Sequence, residues 1–335
     1  MKTIKGNPFR DNEIRCFFET KTSRYELIPM YGDLPEELRY CPFSSGCCDK
    51  EDNLFLVTRD EQHPIVMVDK NGAYIKSFGH GLFAELHGVC ITAEDTLLCT
   101  DAHRHVIREI TKDGELLKDI GKLDTPSDSG FNPGIWRQMQ REGNIVATDI
   151  PFNSAWAFIE GLKTIKRAAP PFNKPTGVAV SPKGEIFVSD GYGNAAIHRF
   201  SKTGELLKTW GGPGREPGKF VVPHGIWVDC LSRVWVADRE GNSVHIFSED
   251  GELIGYMGEN LYQPSEIWAD QEYVYLGERG GGITVIDMDM NVVEQIGFYN
   301  SALRPHGICG TSTSDLIILP LHSYEPYTLM KLKKV

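Results

Sequence analysis

The chain has 335 residues, 41% of them hydrophobic, which is enough for a large buried core. Its formal net charge of −11 leaves no broad basic surface to neutralise phosphates, so we exclude nucleic acid as a partner. The first residues lack the apolar run of a signal peptide, and no later stretch approaches the roughly 18 consecutive apolar residues of a membrane span, so we expect a cytoplasmic protein without a membrane partner.

A unit of four short strands separated by Gly and Asp turns recurs along the chain. The clearest copy spans residues 175–211, and other copies begin near residues 44, 86, 223, 264 and 305. Four short strands per unit and a period of roughly 40 to 45 residues are typical of the blades of a β-propeller. The sequence therefore predicts an all-β, six-bladed propeller that forms a single domain over residues 1–335.

The sixth unit lacks one strand. After Pro305 it contains clear strands only around Gly307–Cys309, Leu316–Ile318 and Met330–Leu332. The N-terminal run Tyr25–Met30 can supply the missing strand and close the ring, so that no sheet edge stays open.

Residues 122–172 interrupt the repeat between the second and third units. A loop this long in a compact domain is usually a lid or a binding loop, and we interpret it as a lid. The alternative is a degenerate seventh blade, for which Gly143–Asp149 gives the only strand-like pattern. The lid is further suggested by the aromatic residues Trp136, Phe152, Trp156 and Phe158.

Three histidine–glycine pairs open apolar strands at the same place in the repeat, at His87, His224 and His306. His224 and His306 are 82 residues apart, and 86 residues separate His87 from His224 once the 51 residues of 122–172 are set aside. Both spacings equal two blades of roughly 40 to 45 residues. Alternate blades of a six-bladed ring are about 120° apart, so the three imidazoles would converge on the axis. Three neutral nitrogens with an open fourth position predict a catalytic zinc site, with Fe²⁺ or Mn²⁺ as alternatives.

The turns between the second and third strands of each unit lie at the same end of the ring as the histidines. They carry Arg59, Tyr192 and Arg239, which can reach the metal from different blades. A Lewis acid, a proton-transfer group and cationic side chains that hold a carboxylate would then line one cavity. Taken singly, these residues have simpler interpretations. A lone histidine could simply be hydrogen-bonded in the core or at the surface, Arg239 could form a surface ion pair, and Tyr192 could be an aromatic residue of a turn. The recurring Asp101, Asp190 and Asp238 are expected to accept hydrogen bonds from turn amides.

Several motifs together resemble those of peptidyl-α-hydroxyglycine α-amidating lyases, the lyase half of peptide-amidating enzymes, and of their bacterial relatives with NHL-type repeats. The matching elements are Leu86–Gly88, Lys174–Val180, Phe187–Tyr192, Val222–His224, Val236–Glu240 and Pro305–His306. The resemblance implies that His87, His224 and His306 bind zinc, that Tyr192 is the base, and that Arg59 and Arg239 are active-site arginines. It further implies cleavage of the C–N bond of an α-hydroxyglycine-type carbinolamide into an amide and glyoxylate.

Two positions differ from the family pattern. Gly307 stands where the family has an aspartate that helps to hold a calcium ion, so a structural Ca²⁺ is not expected. Gly193 replaces a cysteine that is paired in secreted members. With no hydroxylating domain and no export signal in the sequence, we expect a small metabolite with a carboxylate, rather than a secreted peptide, as the substrate.

Two other functions stay open at the level of the sequence. A metal-dependent hydrolase would use the same ion to activate water, and a metal-free propeller would serve as an interaction scaffold. The eight cysteines show no C-x-x-C pair and are interpreted as free, mostly buried thiols.

Overall fold

The computed structural model describes residues 16–21, 23–143, 155–298, 303–320 and 328–335. These ranges contain 25 strands and two short helices. The strands form six antiparallel sheets, which we number 1 to 6 in the order of their first long strand. The N-terminal pair consists of β1 (Cys16–Glu19) and β2 (Arg24–Ile28).

Sheets 1 and 2 precede the interruption of the repeat, and each has four strands. Sheet 1 comprises β3 (Phe43–Cys48), β4 (Leu54–Thr58), β5 (Ile65–Val68) and β6 (Tyr74–Phe78). Sheet 2 comprises β7 (Leu86–Ile91), β8 (Leu97–Asp101), β9 (Val106–Ile110) and β10 (Leu116–Gly121).

Sheets 3, 4 and 5 follow it, again with four strands each. Sheet 3 comprises β11 (Pro175–Val180), β12 (Ile186–Asp190), β13 (Ala196–Phe200) and β14 (Leu206–Gly211). Sheet 4 comprises β15 (Pro223–Val228), β16 (Val234–Asp238), β17 (Ser243–Phe247) and β18 (Leu253–Met257). Sheet 5 comprises β19 (Pro264–Ala269), β20 (Tyr273–Glu278), β21 (Ile283–Asp287) and β22 (Val292–Ile296).

Sheet 6 joins the two ends of the chain. It comprises β23 (Gly307–Gly310), β24 (Leu316–Leu319) and β25 (Met330–Lys334), followed by β2 and β1. Tyr25 pairs with Lys334 and Ile28 with Lys331, so the predicted closing strand is confirmed. The sequence did not predict β1, which adds a fifth strand outside β2.

The first strand of every sheet faces the central axis. Neighbouring first strands contact one another all the way round, from β3 to β7, β11, β15, β19, β23 and back to β3. The second strands are entirely buried between adjacent sheets in most blades, as in the Val234–Asp238 and Ile186–Asp190 strands, and the fourth strands are largely exposed. This arrangement confirms the six-bladed propeller.

The interruption lies between β10 and β11 and contains two helices, α1 (Ile135–Arg141) and α2 (Ala155–Leu162). Leu162 and Ile165 join the hydrophobic cluster between sheets 3 and 4. The seventh-blade pattern at Gly143–Asp149 falls, beyond Gly143, outside the described residues, and the described parts of 122–172 contain no strand. No helix in the described ranges has the length and apolarity needed to span a membrane.

Candidate metal centre

Three histidines from alternate sheets converge at one end of the central axis. His87 is the second residue of β7, His224 is the second residue of β15, and His306 directly precedes β23. Their side chains are buried, with 2%, 1% and 3% of the residue exposed. One nitrogen of each ring can be chosen so that all three lie within 4.8 Å of one another. The structure thus brings together the three residues that the repeat spacing selects.

The glycine after each histidine follows from the tight packing of the inner strands. A β-carbon at Gly88 would lie 2.7 Å from the carbonyl oxygen of Thr176, and one at Gly225 would lie 2.5 Å from that of Ser265. The register of β7 and β15 slips at this place, which is the signature of a β-bulge. The bulge permits the histidine to turn toward the axis, and only glycine fits behind it.

Each histidine is oriented by a backbone carbonyl of the next sheet. Nδ1 lies 2.7 Å from the oxygen of Thr176 for His87, 2.7 Å from that of Ser265 for His224, and 2.8 Å from that of Ser44 for His306. Because a carbonyl oxygen only accepts hydrogen bonds, Nδ1 carries the proton in all three rings. The lone pair of each Nε2 is therefore free to bind a cation, the arrangement that orients metal-binding histidines.

The three accepting residues form a second repeated pattern, which sequence reasoning missed. Ser44, Thr176 and Ser265 occupy the position of the histidine in sheets 1, 3 and 5, as the second residue of β3, β11 and β19. The Ser44 and Ser265 hydroxyls donate to the carbonyl oxygens of His87 and His306. The alternation of His with Ser or Thr at one repeat position was visible in the sequence and could have predicted this ring of hydrogen bonds.

The environment of the histidines keeps all three neutral. Burial lowers the pKa of His87 to about 3 and, with the positive charge of Arg239, holds that of His224 well below its ordinary value. The pKa of His306 is lowered by burial and then by its neighbour His87. Neutral imidazole is the form that binds a metal ion.

The hydroxyl of Tyr192 lies between the rings of His87 and His224. It is 2.9 Å from Nε2 of His87 and 3.0 Å from Nε2 of His224, and Nη1 of Arg239 donates to it across 3.0 Å. A phenol has one proton to donate, so it can satisfy only one of the two imidazole nitrogens. No hydrogen bond to Nε2 of His306 occurs in the described part of the chain. The site therefore has more lone pairs than protons, as expected where a cation binds.

The same observation tests the fit of a metal ion. Three uncharged nitrogens on rigidly oriented rings suit zinc, whose ligands lie about 2.0 to 2.1 Å from the ion. Ligands at that distance are roughly 3.4 Å from each other, so the three rings would approach one another slightly and the Tyr192 hydroxyl would move from between the Nε2 atoms to a place beside the ion. The donor set fits a divalent cation and leaves the side facing the turns open.

Arg239 is buried, with 4% of the residue exposed, and its Nε donates to both carboxylate oxygens of Glu240, at 2.7 and 3.1 Å. Its guanidinium lies over the ring of Tyr192, 5.3 Å from the centroid. These contacts fix Arg239 and Tyr192 as one unit between sheets 3 and 4. Arg239 is thus not a surface ion pair, and Tyr192 is not a solvent-exposed turn aromatic.

Arg59 lies at the edge of the site. Its guanidinium is 3.8 Å from Glu85 and its side chain is 39% exposed. Its charge helps to lower the pKa values of His87 and His306, which places it within electrostatic reach of both rings. It can therefore contact an anion bound at the open side of the site without contacting the histidines.

The insertion covers one side of the site. Phe158 of α2 stands edge-on to Tyr192, with ring centroids 5.6 Å apart and an interplanar angle of 89°. Of the four aromatic residues that suggested a lid, only Phe158 has a described side chain. It contacts the residue predicted to be the base.

The recurring aspartates have the expected structural role. Asp101 accepts hydrogen bonds from the amides of Ala84 and Glu85, and Asp238 accepts them from Val221 and Val222. Each carboxylate thereby holds the segment that leads into the inner strand of its own sheet and ends two residues before the histidine.

The remaining histidines and cysteines lie outside this cluster. The histidine triad is the one group of three or more metal-ligand side chains close enough to share an ion within the described ranges, and His322 lies outside them. All eight cysteines are free, as expected. They are not all buried, because Cys16 and Cys230 are exposed.

Comparison with known proteins agrees with the motifs. The NHL repeat family matches residues 172–200. The peptidylglycine α-amidating monooxygenase of Rattus norvegicus is 32% identical over 197 residues, which cover 57% of this chain and 16% of the rat protein. The peptidyl-α-hydroxyglycine α-amidating lyase 1 of Drosophila melanogaster is 28% identical over 179 residues, which cover 51% of this chain and 26% of the fly protein. The matches thus span only a minor part of these relatives.

The fold also occurs in a solved structure of a catalytically inactive virginiamycin B lyase from Staphylococcus aureus with quinupristin. It superposes with a TM-score of 0.59 at 16% identity and covers 93% of this chain and all of that one, 100%. At this identity the likeness concerns the fold alone. The sequence relatives confirm the resemblance drawn from the motifs. The chain is therefore an NHL-repeat β-propeller related to the peptidyl-α-hydroxyglycine α-amidating lyases.

Proposed function

We propose that the protein is a metal-dependent lyase that cleaves the C–N bond of a small α-hydroxyglycine-type substrate and releases an amide and glyoxylate. The observation that carries the proposal is the position of the Tyr192 hydroxyl, within 3.0 Å of two histidine nitrogens and of Arg239. A proton acceptor, Tyr192, thus lies beside a positively charged side chain, Arg239, and beside the candidate metal ligands.

His87, His224 and His306 would hold the ion, which we propose to be zinc because all three ligands are neutral imidazole nitrogens. When bound, the ion supplies a Lewis acid beside the substrate. The carbonyls of Thr176, Ser265 and Ser44 keep the three rings in the required orientation.

Tyr192 would take the proton from the α-hydroxyl group of the substrate. Arg239, whose Nη1 is bonded to the phenolic oxygen, stabilises negative charge on that oxygen. As the hydroxyl oxygen becomes the carbonyl of glyoxylate, the C–N bond breaks and its electron pair goes to nitrogen. The nitrogen gains one proton and the hydroxyl loses one, so no water is consumed.

Arg59 and Arg239 would hold the substrate carboxylate. A guanidinium group binds a carboxylate through two parallel hydrogen bonds and so fixes its orientation. Arg239 can do so only in part, because Nε and one edge of its guanidinium already face Glu240. Arg59, with its exposed side chain and long contact to Glu85, is free to turn toward the ligand.

The test is to incubate zinc-loaded protein with N-benzoyl-α-hydroxyglycine in ¹⁸O-labelled water and to analyse both products. The lyase releases benzamide without ¹⁸O, together with glyoxylate, whose aldehyde oxygen exchanges with water and is not used as a readout. A hydrolase that cleaves the acyl C–N bond would instead release benzoate carrying one labelled oxygen. An interaction scaffold would release neither product and would retain no metal through gel filtration. Either of the last two results overturns the proposal.

A further inference from the structure

A third arginine occupies the repeat position of the two already described. Arg59, Arg239 and Arg279 each follow directly on the second strand of their sheet, β4, β16 and β20. The backbone amides of Arg239 and Arg279 donate to the residues just before β15 and β19, Val222 and Gln263, at 3.0 and 2.9 Å. Sheets 4 and 5 are neighbours in the ring, so Arg279 starts from the same place as Arg239, one blade further round.

The charged residues at the open side of the histidine cluster, which we call the mouth of the site, act on the side chain of Arg279. Burial, followed by the positive charge of Arg239, lowers the pKa of Arg279. Arg59 acts in the same direction, whereas Glu240 and Tyr192 act in the opposite one. Arg279 is half-buried and leaves its sheet at the same end of the ring as Arg239, one blade away, which is the end where the histidines lie.

Arg279 differs from the other two arginines in having no acidic partner. Arg239 pairs with Glu240 at 2.7 Å, and Arg59 shares Glu85 with Lys174 at 3.8 and 3.6 Å. Among the described residues, none accepts a hydrogen bond from the Arg279 guanidinium.

A half-buried guanidinium without an acidic partner is unfavourable unless a ligand supplies a negative charge. The carboxylate of an α-hydroxyglycine substrate supplies one negative charge. We infer that the substrate carries a second carboxylate, on the acyl half that leaves as the amide, and that Arg279 binds it and determines this specificity. The substrate class is thus N-acyl-α-hydroxyglycines whose acyl group ends in a carboxylate. Naming this class rests on the proposed lyase function.

The experiment compares two substrates of nearly equal size, N-succinyl- and N-butanoyl-α-hydroxyglycine, which differ in the terminal carboxylate. We expect wild type to have a kcat/KM at least about tenfold higher for the succinyl compound, the usual effect of one charged hydrogen bond. Arg279→Gln should abolish this ratio, and Arg279→Lys should keep part of it. Arg24→Gln is the matched control, because it removes the same charge from the outer strand β2 and should leave the ratio unchanged.

The outcomes separate the inference from the proposed function. Equal kcat/KM values for the two compounds in wild type would overturn the inference and leave the lyase in place. If neither compound is cleaved, the lyase proposal is wrong, and titration calorimetry decides the inference without turnover. Succinate must then bind at least about tenfold more tightly than butanoate to wild type, and the difference must vanish in Arg279→Gln. Succinate that binds no tighter than butanoate overturns it.

Discussion

Nη1 of Arg239 donates a hydrogen bond of 3.0 Å to the phenolic oxygen of Tyr192. The two residues come from different sheets, Tyr192 from the turn after β12 and Arg239 from the turn after β16. The contact therefore depends on the packing of sheet 3 against sheet 4, and it places a positive charge beside the hydroxyl that reaches Nε2 of His87 and of His224. The pairing of Arg239 with Tyr192 is thus in place before any ligand enters.

Removing that hydroxyl should abolish catalysis and spare the metal. For Tyr192→Phe we expect kcat to fall by about 10² to 10⁴, the usual contribution of a general base, with zinc content unchanged. Steady-state kinetics and metal analysis by mass spectrometry measure both. Tyr256→Phe, on the exposed strand β18, is the control and should retain full activity. Wild-type kcat in Tyr192→Phe would remove Tyr192 from the mechanism.

Metal content should depend on each histidine of the triad. We expect about one zinc per wild-type chain, because a single open tetrahedral site needs all three nitrogens. His306→Gln should lose most of the metal, and zinc should no longer raise its melting temperature, as ligand binding does for wild type. His198→Gln, outside the cluster, should bind zinc normally. Full zinc occupancy in His306→Gln would contradict the three-histidine site.

The sequence predicted those parts of the molecule that repeat. The spacing of His87, His224 and His306 indicated alternate blades, and the antiparallel order of the strands put the turn residues Tyr192 and Arg239 at the same end. Periodic patterns are reliable because each repeat reports the same geometry again. Arg279 was overlooked because the sequence alone does not show which residues of other blades lie near a single arginine in a turn.

The insertion was harder to interpret, for a different reason. α2 has eight residues, too few to be stable through helix propensity, and it forms because Phe158 and Leu162 pack on the propeller. Such a helix depends on tertiary contacts that no local pattern reports. The sequence accordingly indicated a loop-like segment where the structure has two short helices.

The contact between Phe158 and Tyr192 predicts a role for the insertion in substrate binding. In Phe158→Ala the phenol loses its edge-on neighbour, so we expect KM to rise severalfold while zinc content stays at the wild-type level. Phe298→Ala is a suitable control, because this side chain is 68% exposed. Unchanged KM would show that α2 covers the site without contributing to binding, and loss of folding would show that α2 is part of the core.

The glycines behind the histidines should be as sensitive as the ligands. In Gly225→Ala the new β-carbon would lie 2.5 Å from the oxygen of Ser265, the atom that holds Nδ1 of His224. We expect about 1 to 3 kcal/mol lower stability and a weaker zinc affinity, since the ring loses its orienting contact. Gly134→Ala, where the nearest neighbour lies at 3.5 Å, is the control. Denaturant unfolding and zinc titration measure the two effects, and wild-type values of both would refute the packing argument.

The neutral histidines should also make the metal-free protein sensitive to acid. In the unfolded chain a histidine takes up its proton near pH 6.5, whereas burial lowers the pKa of His87 to about 3 and holds those of His224 and His306 well below their ordinary value. Below pH 6.5 the unfolded state thus binds protons that the folded state does not bind, so the free energy of unfolding falls as the pH falls. Each histidine contributes up to about 1.4 kcal/mol per pH unit.

The measurement is the free energy of unfolding in guanidinium chloride, with a chelator present, at pH 7, 6 and 5. Other buried groups titrate here as well, and burial of Asp238, whose pKa is raised to about 6, acts in the opposite direction. The difference between wild type and His306→Gln isolates one histidine, because Asp238 is common to both. We expect the variant to lose up to about 1.4 kcal/mol less per pH unit between pH 6 and 5. Equal slopes would mean that His306 is already protonated in the folded, metal-free protein. The conclusion that all three histidines are neutral before a metal ion binds would then be wrong.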